Sequence, residues 1–371
     1  MAILNQKEKD YQMKRIGIMT TGGDCSGLNT VLERVVSGAT QRGWEVIGIR
    51  DGTDGLYSRP VMSVKLTPET LPIELARLSG SYLCNGRDGV MNFESAAACG
   101  KLDEFKQTLR AGLRSLELDT LIIVGGNGSL SLAWNNHDIY ADVNLVCIPK
   151  TIDMDVPLTD NTVGFDTAVQ QLVEFGDQIL LTARSHHRWF VIQAMGRDVG
   201  SLALHAGVAL GVDAILIPEI KFDMDTLVER VKNHWRDYGI IMVSEGVSVR
   251  GHSGQPADII SRALKAAGIT NRALFPEHIQ RAGDTVATDR ILAASMADCA
   301  LRAIENKETY VMTAMQDGAC KTVALSEFFA NGSILCDPHI SGQQVSNAYV
   351  SPDDPLLTVA ANMGTYIGET K

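Results

Sequence analysis

Residues 15–39 read RIGIMTTGGDCSGLNTVLERVVSGA, and the fold follows from how that stretch divides. Arg15-Ile16-Gly17-Ile18-Met19 is an apolar run of strand length. The glycine-rich turn Thr20 to Gly27 follows, and then a helical pattern from Leu28 to Ala39. In that pattern Leu28, Val31, Leu32, Val35 and Val36 fall on one face. Strand, tight turn and amphipathic helix make one unit of an α/β protein. The same alternation continues downstream. Strands are expected at Glu45–Ile49, Thr120–Val124, Val143–Ile148, Trp189–Gln193, Ala214–Ile217, Gly239–Val243 and Thr309–Met312. Helices are expected at Thr167–Leu181, Met224–Trp235 and Asp289–Ile304. Strands alternating with helices predict the α/β class with mainly parallel sheets.

The chain has 371 residues, 45% hydrophobic and 21% charged, enough for two domains with full cores. Thirty-three basic against 44 acidic residues give a net charge of −11. That balance argues against nucleic acid and anionic membranes as partners, because such binders neutralise phosphates with basic patches. It leaves small phosphorylated molecules open, since a few placed arginines can hold a phosphate in an acidic protein. The sequence contains no apolar run long enough to span a bilayer, and Met1 to Arg15 lacks the apolar stretch of a signal peptide. Seven cysteines without a CxxC pair read as reduced thiols, and the location expected is cytoplasmic.

Three of the strands run into loops suited to phosphate. In the first, Gly22, Gly23 and Asp24 lie between a strand and a helix start, where glycines let backbone N–H groups approach an anion. In the second, Gly125-Gly126-Asn127-Gly128-Ser129 repeats the layout. The plainer reading of both is that the glycines only allow close helix–strand packing. The third, Pro149-Lys150-Thr151-Ile152-Asp153-Met154-Asp155, gathers a cation, a hydroxyl and two carboxylates. In an extended segment Thr151, Asp153 and Asp155 share a face while Ile152 and Met154 point away. One carboxylate can take a proton from an attacking hydroxyl while the other helps hold a metal, as phosphoryl transfer requires. An Asp-rich helix cap is the plainer alternative. The missing positive charge sits at Arg188 and Arg197, flanking a strand, and at Arg272, His278 and Arg281 around an expected loop-to-helix passage. Five such groups beside apolar strands read as phosphate ligands, gathered with Lys150 in one cleft. Glu245, ending another strand, could accept hydrogen bonds from sugar hydroxyls.

In order and spacing these motifs resemble the phosphofructokinase A family, which includes ATP-dependent and pyrophosphate-dependent 6-phosphofructokinases. The matching pieces are Thr21-Gly22-Gly23-Asp24-Cys25-x-Gly27-Leu28-Asn29, Gly125-Gly126-x-Gly128-Ser129 and Pro149-Lys150-Thr151-Ile152-Asp153-x-Asp155. Met195-Gly196-Arg197, Pro218-Glu219, His278-Ile279-Gln280-Arg281 and Asp289-Arg290 complete the set. The resemblance implies two Rossmann-like three-layer domains with the active site in the cleft between them. Residues 1–164 plus 280–330 would hold the phosphoryl donor, and 165–279 plus 331–371 the sugar phosphate. It implies transfer of the terminal phosphoryl of ATP to the 1-hydroxyl of fructose 6-phosphate with Mg²⁺. Asp153 would be the general base, Arg197 and Lys150 would balance charge, and Thr151 and Asp155 would surround the phosphoryl and its Mg²⁺. Gly22, Gly23, Asp24, Arg87, Gly126, Asn127, Gly128 and Ser129 would bind the donor. Met195, Gly196 and Glu245 would meet the sugar. Arg188, Arg272, His278 and Arg281 would grip the 6-phosphate, with Arg188 and Arg272 reaching a neighbouring subunit's site in a homodimer or homotetramer.

Several positions depart from the family pattern. Asn127 replaces a metal-holding Asp, Met154 replaces the Asn of Thr-Ile-Asp-Asn-Asp, and Glu277 adds a negative charge beside His278. Gly128 matches the ATP-using members, whereas Lys150 matches the pyrophosphate-using ones. Two alternatives therefore accompany the main reading. One is a pyrophosphate-dependent enzyme or a sedoheptulose 7-phosphate kinase; the other is a catalytically impaired regulatory or binding homologue, motivated by Asn127.

Overall fold

The computed structural model describes residues 14–86, 92–331 and 350–369. Two sheets organise them. The first joins β1 (Arg15–Thr20), β2 (Glu45–Ile49), β3 (Ser63–Leu66), β4 (Thr120–Gly125) and β5 (Asn144–Pro149) to β10 (Val311–Gln316) and β11 (Ala319–Ala324). Its order is β11-β10-β5-β4-β1-β2-β3. The second holds β6 (Trp189–Ala194), β7 (Ala214–Leu216), β8 (Gly239–Ser244) and β9 (Asn271–Leu274), in the order β7-β8-β6-β9. Every described pairing is parallel except β2 with β3 and β10 with β11, at the edges of the first sheet. The fold is α/β with mainly parallel sheets, as expected.

The apolar strands are continuous because both faces of each sheet are covered. In β4, Ile122 and Val124 join a core running through helix Leu28–Gln41 to the second sheet's Ile192 and Met242. Their neighbours Leu121 and Ile123 face the opposite way, onto Phe105, Leu109 and Leu113 of helix Leu102–Ser115. On the far side of the second sheet, Val191, Ile241 and Val243 pack with Leu227, Ile260 and Leu264. Alternate residues of a strand point to opposite faces, so one strand feeds two cores.

The structure corrects several expected elements. The strand expected at Thr309–Met312 is β10, beginning at Val311 and reaching Gln316. It turns through Asp317 (φ 52) and Gly318 (φ 76) into the unexpected β11. Asp-Gly with both residues left-handed is the favoured two-residue hairpin, so that signal was present in the sequence. The helix from Met224 stops at Lys232 rather than Trp235. Arg272 lies not in a loop but within β9, a short strand that among the described residues pairs with β6 at the sheet edge.

Candidate active site

Strands β5, β4 and β1 are adjacent and parallel, so the three glycine- and Asp-rich loops leave one edge of the first sheet side by side. Thr21 N–H donates to Val124 O at 3.0 Å and Lys150 N–H to Gly125 O at 2.9 Å, stitching the loops together. A Cβ on Gly125 would stand 2.5 Å from Ser129 Cβ and 2.7 Å from Thr21 Oγ1, so only glycine permits this approach. Gly126 precedes helix Asn127–Asn135, whose first turn carries Gly128 and Ser129. Lys150 is buried beneath the first loop. Its ammonium donates to Thr21 O at 3.0 Å and to Gly23 O, and burial pushes its pKa below the ordinary lysine value. The lysine thus clamps the first loop from below.

The third loop is not the extended segment expected from its alternation, because Met154 has a left-handed φ of 57°. The polar groups converge through a bend instead. Asp153 N–H donates to Thr151 Oγ1 at 3.0 Å. Thr162 Oγ1 donates to Thr151 O at 2.8 Å, and Asn127 Nδ2 donates to Asp155 O at 2.6 Å. Asp153 and Asp155 are 3% and 4% exposed, yet Oδ1 of each is buried with no protein partner. Burial, and then the neighbouring Asp155, push the Asp153 carboxyl up to about 6; burial also raises Asp155. Two open carboxylate oxygens in such a place lack a cation or a proton donor.

A cation arrives from the second sheet. Strand β6 runs into the loop Met195-Gly196-Arg197, with Gly196 at φ 130° and Arg197 at φ 51°. Glu245, just past β8, accepts N–H donation from Gly196 at 3.1 Å and from Arg197 at 2.8 Å on its Oε1. Met195 N–H donates to Gln280 Oε1 at 2.9 Å. So held, the exposed Arg197 points its Nε to within 3.6 Å of Asp153 Oδ2 across the cleft. Glu245, expected as a sugar contact, thus uses one carboxylate oxygen to shape the arginine loop. Gln280 was overlooked, although it sits inside the His278–Arg281 motif.

The remaining cations divide. Arg281, expected at the sugar phosphate, lies over the first loop, its guanidinium donating to Asp24 O at 2.9 Å. His278 stands exposed on the same short turn, Glu277–Arg281. Arg188 and Arg272 do not join them within one chain. Arg188 precedes β6, and Arg272 sits beside Phe190 in register, both at the strand end opposite Met195. Six strand residues at roughly 3.3 Å each separate the two ends by about 20 Å. Within one chain, Lys150, Arg197 and Arg281 stand at the cleft, while Arg188 and Arg272 lie toward the other end of the second sheet, as expected of residues that reach a neighbouring subunit. Arg87 lies outside the described residues.

The residues present fit a magnesium ion. Mg²⁺ is held by one or two carboxylates plus substrate phosphates rather than by an all-protein cage. Asp155 offers a buried, unpartnered oxygen, and among the described residues no cluster of three or more His, Cys, Asp or Glu forms a cage. No described helix is long and apolar enough to cross a membrane.

The sequence profile described as Phosphofructokinase matches residues 15–304. This chain belongs to the phosphofructokinase family. It is 36% identical over 376 residues to ATP-dependent 6-phosphofructokinase 1 of a Nostoc species, covering 96% of this chain and 99% of that one. It is 35% identical over 323 residues to the ATP-dependent 6-phosphofructokinase of Lactobacillus helveticus, covering 85% and 94%. Among solved structures, the phosphofructokinase of Saccharomyces cerevisiae superposes with a TM-score of 0.75 at 28% identity. That match covers 85% of this chain and 45% of the yeast chain. The pyrophosphate-dependent phosphofructokinase of Marinobacter aquaeolei superposes at 0.73, covering 97% and 93%; at 19% identity it attests the fold alone.

Proposed function

We propose that this phosphofructokinase-family protein transfers the terminal phosphoryl group of ATP to the 1-hydroxyl of fructose 6-phosphate. The observation that carries the reading is the pair Asp153 and Arg197. A buried carboxylate with an open oxygen faces a guanidinium from the opposite sheet, at the edge where three phosphate-type loops meet. Asp153, with its pKa raised toward neutrality, accepts the proton of the attacking hydroxyl. Arg197 balances negative charge as the phosphoryl moves. The N–H groups around Gly22, Gly23, Gly126 and Gly128, with Asp24, Ser129 and Arg87, receive the donor. Mg²⁺, when bound, neutralises charge on the donor phosphates, and Asp155 is the residue that would hold it.

Two observations support ATP over pyrophosphate. The relatives at 36% and 35% identity are named ATP-dependent. Lys150, the feature shared with pyrophosphate users, commits its ammonium to the carbonyls of Thr21 and Gly23. We assign the donor to residues 1–164 plus 280–330 and the sugar phosphate to 165–279 plus 331–371. The bond from Ile215 N–H to Tyr366 O at 2.8 Å supports joining the tail to the second part. The sugar's 6-phosphate is gripped by His278 and Arg281 together with Arg188 and Arg272 of a neighbouring subunit in a cytoplasmic homo-oligomer. The distance of Arg188 and Arg272 from their own chain's Arg197 supports that exchange.

The test is an activity matrix of ATP and pyrophosphate against fructose 6-phosphate and sedoheptulose 7-phosphate at several Mg²⁺ concentrations. Turnover is expected with ATP and fructose 6-phosphate. Turnover with pyrophosphate alone, or sugar-phosphate binding with no turnover from either donor, would overturn the reading.

A further inference from the structure

Two different parts of the fold hold the two halves of the first loop. Lys150 fastens the first half from below, through Thr21 O and Gly23 O. The second half is fastened to residues 281–285. There the Arg281 guanidinium donates to Asp24 O at 2.9 Å. Ser26 Oγ lies 2.8 Å from Gly283 O and 3.2 Å from Ala282 O, so its one proton is directed into that segment. Gly27 N–H donates to Thr285 Oγ1 at 3.0 Å. Ser26 and Thr285 are 2% and 1% exposed, which keeps water from competing for these bonds. Ser26 fills the position that the family motif leaves open, so its hydroxyl is a feature of this chain and not of the motif. We propose that Ser26 is a positioning residue that locks the donor loop to the segment carrying His278 and Arg281, so that sugar phosphate and donor bind interdependently. The inference deepens the phosphoryl-transfer reading and rests on it for the identity of the two ligands.

The segment is anchored on the acceptor side as well. Gln280, 1% exposed, takes the Met195 N–H on its Oε1 at 2.9 Å. Gly283 has a φ of 88°, and a Cβ there would lie 2.4 Å from Gln171 Nε2 of helix Phe165–Ser185, so the segment is backed against that helix. A Cβ on Gly23 would stand 2.5 Å from Arg281 Nη1, so the guanidinium rests directly on the donor loop. One guanidinium carries five N–H donors, so Arg281 can meet a phosphate without letting go of Asp24 O. A phosphate on Arg281 then fixes the segment, and through Ser26 it fixes residues 24–27 before the donor arrives. The donor meets a loop that is already ordered and binds more tightly. The same factor acts in reverse, because coupling between two ligands is reciprocal. Removing the Ser26 hydroxyl loosens this tie without deleting a side chain that meets either ligand.

The test is calorimetric titration of the full chain with a non-hydrolysable ATP analogue and Mg²⁺, with and without saturating fructose 6-phosphate. In the parent, the sugar phosphate is expected to lower the analogue's Kd at least threefold, and the analogue to lower the sugar phosphate's Kd by the same factor. A smaller factor would overturn the proposal. In Ser26→Ala the factor should fall to less than half of the parent's, with the Kd of each ligand alone within threefold. A factor above half of the parent's would overturn the proposal. A purely structural tie would move both single-ligand affinities and leave the factor unchanged. Hydrogen exchange of residues 23–27 supplies a second readout. Fructose 6-phosphate alone should slow it at least threefold in the parent, and unchanged exchange counts against the coupling. If S26A does not fold, Thr285→Val decides by the same halving of the factor, because it removes the neighbouring tie to Gly27. A parent that binds no fructose 6-phosphate removes the functional reading and the coupling with it. Binding of both ligands without coupling removes the coupling alone.

Discussion

The carboxyl of Asp153, raised to about 6 by burial and by Asp155, is held in a state that favours proton uptake over folding stability. A carboxyl whose folded pKa lies above its ordinary value binds protons more tightly when folded, so it destabilises the fold wherever it is ionised. That cost is complete above about pH 6 and disappears as pH falls toward 3.8. Asp153→Asn is therefore expected to lower kcat about a thousandfold while raising the melting temperature. The thermal gain should be greatest above pH 6 and fade toward pH 4 in parallel melts of the two proteins. Activity of the parent should decline as pH falls through the same value. At Met154 the residue type and the backbone disagree. A left-handed φ of 57° suits Asn, which the family carries there, and costs a non-glycine residue roughly 1–2 kcal/mol. Packing of Met154 against the central core and the Thr162 hydroxyl 3.5 Å from its sulfur offset part of this. The motif letters named the residues we propose to react, but the bend that brings them together lies in dihedral angles that no alternation pattern encodes.

Among elements, helix Phe165–Ser185 carries the chain from β5 to β6 and so sets one sheet against the other. Its start is tied by Asp289 of helix Ala287–Glu305. That carboxylate accepts from Gly164 N–H at 3.0 Å, Thr167 N–H at 2.7 Å and Thr167 Oγ1 at 2.6 Å. Gly164 at φ 104° stands where a Cβ would lie 2.4 Å from Cys25 Sγ, so the first loop, the helix start and Asp289 are locked together. Asp289→Ala leaves two buried N–H groups without this acceptor and is expected to cost about 2–3 kcal/mol, read from denaturant unfolding. A change within 0.5 kcal/mol would remove the tie from this account. The periodicity of both helices was visible in the sequence, and so was the Asp289-Arg290 motif. Their partnership across more than a hundred residues was not, because hydrophobic spacing reports which face is buried and not against what.

For the whole molecule, the decisive feature is the separation of Arg188 and Arg272 from the cleft of their own chain. If they serve a neighbour, Arg272→Ala raises the sugar-phosphate KM about tenfold or more, the loss of a charge-assisted phosphate contact, with little change in donor KM. Subunits carrying D153N mixed with subunits carrying R272A should then regain activity at low sugar phosphate, because a hybrid contains one intact site. Mixtures no more active than their parts would show that each chain's site is self-contained. The net charge of −11 now has its counterpart: Lys150, Arg197 and Arg281 are collected at one edge of the first sheet.

By itself the sequence determined the alternation of strands and helices, the three loops that follow β1, β4 and β5, and the residue types of a phosphoryl-transfer site. It could do so because strand period, turn chemistry and motif spacing are local properties of the chain. Only the tertiary structure decided that Lys150 faces loop carbonyls, that Glu245 shapes the Arg197 loop, that Asn127 donates to Asp155, and that the cations form two groups. Each of these depends on which atoms meet across loops and sheets, and that is set by packing between segments far apart in sequence.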